Sequence, residues 1–196
     1  MSRFYAFLEE SIDNPEAIAD LQEFMGYCLM PETAGYRKAL ALTGPGLGKS
    51  TLCRVIESVA TPAVRVSGAL LFGGCPFTTK LLDGASVAVV HDAERYATMV
   101  PEACFKPVVC GDALMGAVKH ANTSVFYNTC KLVFDGASPA ATDDALNRFC
   151  LTIHFNGDIS RLDPHLFPAL EKEDALIRQW ALEGRERLMQ RGGFRG

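Results

Sequence analysis

The sequence predicts an α/β fold: a central, mostly parallel sheet flanked by helices, with a small helical segment at the N-terminus. Three observations carry this. Strand and helix signals alternate along the chain. The runs SVAVV (86–90) and KLVF (131–134) are continuously apolar, as strands buried on both faces are. Ala39 to Ile56, ALALTGPGLGKSTLCRVI, passes from an apolar run through a glycine-rich turn into an amphipathic helix.

Composition sets the bounds. The chain has 196 residues, 48% apolar and 21% charged, enough for one α/β domain with a real core. No apolar run approaches a membrane span. The N-terminus MSRFYAFLEE is no signal peptide, because Glu9 and Glu10 interrupt its apolar stretch. The seven cysteines form no C-x-x-C pair, so buried, reduced thiols and a cytoplasmic location are expected. A net charge of −4 argues against a broad basic face for duplex DNA. It leaves room for a few basic side chains gathered in the channel of a ring.

Taken in order, Asn14-Pro15-Glu16 combines a cap, a first-turn proline and a first-turn acid. Ile18, Leu21, Met25 and Leu29 follow at helical spacing, so a packed helix is expected over 15–30. Residues 31–36 form a connection. After the strand and helix of 39–56, Leu52, Val55, Ile56 and Val59 mark that helix's buried stripe. Ala63 to Val66 is a short strand; Gly68 to Gly74 and Pro76 look like loop. Strand 86–90 ends in His91-Asp92-Ala93-Glu94, and a short helix is expected over 101–109. Residues 111–128 read as an extended excursion around Lys119-His120. Strand 131–134, a short helix capped by Thr142 over 142–148 and strand CLTIHF (150–155) follow. Residues 164–189 are expected to be helical, broken near Pro168 and at Gly184, and the tail RGGFRG flexible. There are no internal repeats. This divides the chain into a helical lead-in (1–36) and a core with C-terminal helices (37–196).

The segment 39–56 is the strand, loop and helix of a phosphate-binding P-loop. Gly44, Pro45, Gly46, Leu47 and Gly48 form a loop whose backbone N–H groups can curl around a phosphate. The helix starting near Lys49 aims its positive dipole end at the same anion. Lys49 would reach the β- and γ-phosphates, Ser50 would ligate Mg²⁺, and Thr51 completes the motif. One position departs from the usual G-x-x-x-x-G-K-[ST] spacing: Thr43 stands where the first glycine is wanted. A P-loop ATPase also needs an acid at the end of a neighbouring strand. Asp92 is the metal-ligand candidate and Glu94 the candidate base, with His91 able to accept a proton beside them. The plain alternative is that His91 and Glu94 are strand-end polar residues.

This order of features resembles the superfamily 3 helicases of small viruses, phages and plasmids. It looks closest to the C-terminal helicase module of phage and plasmid primases and of the poxvirus primase-helicase. The segments carrying it are LQEFMGYCLMPETAGYRKALALTGPGLGKS (21–50), KPVVCGD (106–112) and QWALEGRERLMQRGGF (179–194). The resemblance implies an AAA+-like P-loop NTPase. It also implies a β-hairpin that carries a Lys-His pair into the ring channel. Lys119, His120 and Asn122 match that segment and would contact DNA, a lysine serving a backbone phosphate and a histidine a sugar or base. The family ends its third motif with an asparagine that orients water near the γ-phosphate. Here Asp135 stands in its place, without an amide donor. Asn147-Arg148-Phe149 resembles the arginine-finger segment, so Arg148 would act on a neighbouring subunit's ATP. The alternative for Arg148 is a surface ion pair with Asp143 or Asp144.

What the resemblance implies is an ATP- and Mg²⁺-dependent DNA helicase that translocates on single-stranded DNA as a ring, with a hexamer expected. It would serve replication of a phage, plasmid or satellite element. On this reading no primase module is present, and priming comes from a separate protein. Two other classes stay open: a non-hydrolysing nucleotide-binding scaffold or interference protein, and an ATP-dependent helicase loader. Thr43, His91 and Asp135 all depart from the family pattern, as a repurposed ATPase would.

Overall fold

The computed structural model describes residues 2–31, 35–45, 47–91, 100, 102–120, 122–136, 147–156 and 163–195. Helices α1 (Arg3–Ser11) and α2 (Pro15–Cys28) precede β1 (Ala39–Thr43) and α3 (Lys49–Val59). Then come β2 (Ala63–Ser67), α4 (Gly68–Phe72), α5 (Pro76–Lys80), β3 (Val87–His91) and α6 (Glu102–Cys110). The strands β4 (Ala113–Gly116), β5 (Ser124–Tyr127), β6 (Lys131–Asp135) and β7 (Cys150–His154) lead to α7 (Leu166–Glu171) and α8 (Asp174–Arg191).

Five strands form one sheet in the order β2-β3-β6-β1-β7, and every neighbouring pair is parallel. The apolar runs are continuous because the sheet is covered on both faces. On β1, Leu40 and Leu42 join the core beneath α1, α2, α3 and α8, while Ala39 and Ala41 join the core beneath α4 and α6. Val87 and Val89 against Ala88 and Val90 repeat this alternation on β3. Strands β4 and β5 form a separate antiparallel ribbon.

The order matters for function. Chain order runs from β1 to the far edge at β2, back through β3 and β6, then to β7 on the other side of β1. The carboxyl end of β1 is therefore the switch point where an open parallel sheet has its crevice. It is flanked by the ends of β6 and β7.

Several expectations are corrected. Residues 68–74 and Pro76 are not plain loop but carry the short helices α4 and α5. They bury Leu71, Phe72 and Thr78. The C-terminal helix is not broken at Gly184; it runs through it. A Cβ on Gly184 would lie 2.2 Å from the Gln22 carbonyl oxygen, and one on Gly26 would lie 2.4 Å from the Arg185 nitrogen. These glycines let α2 and α8 cross in contact, so Gly184 serves packing, not termination. Pro168 sits in the first turn of α7, and the break falls after Glu171 instead. The tail is held: Phe194 packs edge-on against Tyr27 and Tyr36 and tilted against Phe24. Of the helix expected over 142–148, residues 142–146 lie outside the described residues.

Helix α1 was not marked as an element by the sequence, yet it is tightly seated. Phe4, Phe7 and Leu8 are buried. The Glu173 carboxylate accepts from the Ser2 hydroxyl at 2.6 Å and from the Arg3 and Phe4 amides at 2.8 and 3.0 Å. A carboxylate on orphan N–H groups at a helix start is a cap supplied from far along the chain. The Ser2 hydroxyl, then the two amides, hold Glu173 below the usual carboxylate range. Across α2 and α8, buried Glu23 accepts from Arg187 at 2.7 Å and from Arg191.

Candidate functional site

The loop 44–48 leaves the carboxyl end of β1 and enters α3 at Lys49. Two of its residues must be glycine. Gly44 has φ +94°, and a Cβ there would stand 2.2 Å from the Phe155 carbonyl oxygen. Gly48 has φ +107°, and its Cβ would meet the Phe7 ring at 2.8 Å. Thr43 is the last residue of β1, level with His154 on β7, and its hydroxyl lies 3.4 Å from His154 Nδ1. The strand thus continues through Thr43, and the turn begins one residue later than the common spacing has it. The departure at Thr43 is a shift of the turn.

Gly48 caps α3 without a side chain, unlike Ser2 on α1 and Asn14 on α2. No side-chain cap competes for the first-turn N–H groups of α3, which is the arrangement an anion uses. Lys49 Nζ donates to the Gly44 carbonyl at 2.6 Å, spanning the loop. Ser50 is exposed, and its hydroxyl donates to Asp135 Oδ2 at 2.9 Å. Asp135 ends β6, level with Leu42 of β1, and the next amide, Gly136, bonds the Leu42 carbonyl at 3.0 Å. The hydroxyl of Ser50 and the carboxylate of Asp135 are hard oxygen donors side by side. That donor set suits Mg²⁺.

Of the other sequence candidates, His91 is exposed at the end of β3. Gly46, Asp92 and Glu94 lie outside the described residues. Pro45, Leu47 and Thr51 belong to the loop and the first turn of α3. Lys119 and His120 form the turn of the β4–β5 hairpin, His120 at φ +65°, and Asn122 follows, exposed. The hairpin is rooted at the amino end of β6, where buried Asn128 bonds the Val108 and Cys130 carbonyls at 2.6 and 3.1 Å. From that root the ribbon runs along α5, where the Ala117 amide donates to the Pro76 carbonyl at 3.0 Å. Arg148 precedes β7, so it too lies at the amino ends of the strands. It pairs with Glu102 at 3.3 Å and is 60% exposed.

Sequence reasoning missed two contributors. Phe7 of α1 and Phe155 after β7 both pack at Gly48 and brace the loop from below. The pairing of Ser50 with Asp135 needed the strand order, which no local pattern carries. A signal for α1 was present in the spacing of Phe4, Phe7 and Leu8.

Comparison of the structure with solved proteins gives a match over nearly the whole chain. The apo structure of the NrS-1 C-terminal region aligns with a TM-score of 0.71 and 12% identity, over 97% of this chain and 51% of that one. The chain shares the fold of about half of the NrS-1 C-terminal region. An A-form apo structure of the same NrS-1 region gives 0.68 and 13%, over 95% and 49%. The JCV helicase, solved with a bound thiazolopyridine compound, aligns more loosely, at 0.44 and 15% over 96% and 67%. This chain spans about half the length of the NrS-1 region it matches. No protein-family model and no curated protein sequence matches it. Among the described residues, no helix is long and apolar enough to cross a membrane.

Proposed function

We propose that this chain is an ATP-dependent DNA helicase of the superfamily 3 type. It binds ATP–Mg²⁺ on the loop 44–51 and works as a ring, a hexamer, on single-stranded DNA during replication of a phage, plasmid or satellite element in the host cytoplasm. The observation that carries this is the loop itself. Gly44 and Gly48 are sterically required, α3 starts without a side-chain cap, and Lys49 and Ser50 follow at the switch point of a parallel sheet. The shared fold with the NrS-1 region supports the reading.

The residues take these roles. Loop amides and Lys49 hold the phosphates. Ser50, with Asp92, takes part in holding Mg²⁺, which when bound neutralises charge on the phosphates. Glu94 serves as base, and Arg148 reaches a neighbour's nucleotide. Lys119, His120 and Asn122 track the strand, with residues 1–36 as lead-in to the core 37–196.

The test is ATP turnover and strand displacement by the pure protein, with and without single-stranded DNA, beside Lys49→Ala. DNA-stimulated turnover and strand displacement, both lost in Lys49→Ala, are expected. Turnover without displacement would favour the loader. Nucleotide binding without turnover would favour the scaffold, a reading that the carboxylate of Asp135 beside Ser50 keeps in play.

A further inference from the structure

The strand order carries a consequence for the metal. β6 lies between β1 and β3, so the end of β3 is two strand spacings from the loop, roughly 10 Å, while the end of β6 is one, roughly 5 Å. Among the described residues, Asp135 at the end of β6 is the carboxylate that the strand order brings beside the loop, and it already accepts from Ser50 at 2.9 Å. Asp135 is held there by the strand. Leu42 and Asp135 are paired in register, and Gly136 bonds back to β1. An asparagine at this position would offer a neutral amide. An aspartate offers an anionic oxygen, which a hard cation prefers.

We propose that Asp135 is a direct ligand of the nucleotide's Mg²⁺, sharing the ion with the Ser50 hydroxyl, instead of orienting water. This rests on the nucleotide-binding reading of the loop. It also resolves the charge problem that the aspartate poses. A lone carboxylate beside the phosphates repels them, whereas one bound to the cation is neutralised along with them.

The test separates the two readings. Binding of a fluorescent, non-hydrolysable ATP analogue is measured in EDTA and in Mg²⁺ for wild type, Asp135→Asn, Asp135→Cys and Lys49→Ala. Free Mn²⁺ is followed in parallel by its EPR signal in the presence of the analogue. Asp135→Asn should lose the gain in affinity that Mg²⁺ gives, and weaken Mn²⁺ uptake at least about tenfold, while binding in EDTA is kept or improved. Asp135→Cys should regain metal-dependent binding in Cd²⁺ but not in Mg²⁺, since a thiolate prefers the softer ion. Asp135→Asn with an unchanged Mg²⁺ dependence overturns the inference and leaves the loop reading intact. Wild type that binds no nucleotide, or binds it no better than Lys49→Ala, overturns both.

Discussion

At Gly44 the backbone is at φ +94° and a carbonyl oxygen stands 2.2 Å from any Cβ. At Gly84 the backbone is similarly left-handed, φ +80°, but nothing lies within 4 Å of a Cβ. This pair isolates what the loop demands. Gly84→Ala should cost only the left-handed strain, about 1 kcal/mol. Gly44→Ala carries the same strain plus a clash with the backbone after β7, so the loop must shift. Urea denaturation should show the larger loss for Gly44→Ala, and nucleotide binding should be lost in that variant alone. Equal losses in both would mean that the loop adapts. Thr43 belongs to the same comparison. A sequence pattern counts residues from the lysine, whereas the structure asks where the strand stops, and it stops after Thr43.

Elements show why some of the fold was legible and some was not. β1, β3 and β6 were legible because burial on both faces leaves no polar residue to interrupt them. α4 and α5, of five residues each, are too short to display a helical period, and their glycine and proline content imitates loop. Gly184 looked like a break because only the partner helix α2 explains it. The same crossing is closed by Glu23, whose side chain is fully buried between α2 and α8. Burial pushes its pKa up, but hydrogen bonds from Arg191 and Arg187 outweigh that, and the net shift is downward. A lowered carboxylate pKa gives stability that is present above the unfolded value and lost as pH falls through the folded one. Wild type should therefore lose stability on acidification from about pH 5 downward. Glu23→Gln should be less stable at pH 7 and lose less on going to pH 3, as read by denaturant midpoints. A variant as acid-sensitive as wild type would place the effect elsewhere.

The β4–β5 hairpin poses a functional question at the same scale. Lys80 of α5 pins it, donating to Ser124 Oγ at 2.9 Å and to Asp83 at 2.6 Å, with its chain against Gly116. The tip carrying Lys119 and His120 is thus presented on a braced ribbon. If the tip grips a strand through phosphate, Lys119→Ala should weaken binding to all single-stranded sequences alike. The slope of log K against log salt should fall by about one per contact removed. Basal ATP turnover should be unchanged, since the loop's own partners are Phe7, Asp135, His154 and Phe155 and not the tip. Fluorescence anisotropy across a salt series checks this, and a sequence-dependent loss would argue for base contacts instead.

On the scale of the whole molecule, the sheet separates two ends. The loop, Ser50 and Asp135 stand at the carboxyl ends of the strands. Arg148 and the root of the hairpin stand at the amino ends. Residues 39 to 43 of β1 run level with 150 to 154 of β7, so Arg148 is more than a strand's length from the loop, roughly 15 Å or more. An arginine side chain does not cover that distance across a packed core. If Arg148 stabilises a nucleotide, that nucleotide belongs to another copy of the chain. Its surroundings suit such a role. Arg148 lines an open groove of about 520 Å³ with Lys38, Arg195 and Asp20, along the edge strand β7. Its pair with Glu102 is exposed, so releasing it costs about 1 kcal/mol or less. Arg148→Ala should then keep nucleotide affinity and lose turnover by about a thousandfold, the lower range for an arginine finger. Mixed with Lys49→Ala, it should recover part of the activity, because each mixed ring contains interfaces that join an intact loop to an intact arginine. The mixture is titrated across ratios, with ring formation followed by light scattering. Recovery that peaks at intermediate ratios fits action between subunits. Rings that form but show no recovery at any ratio would remove Arg148 from the nucleotide site and leave its groove with some other role.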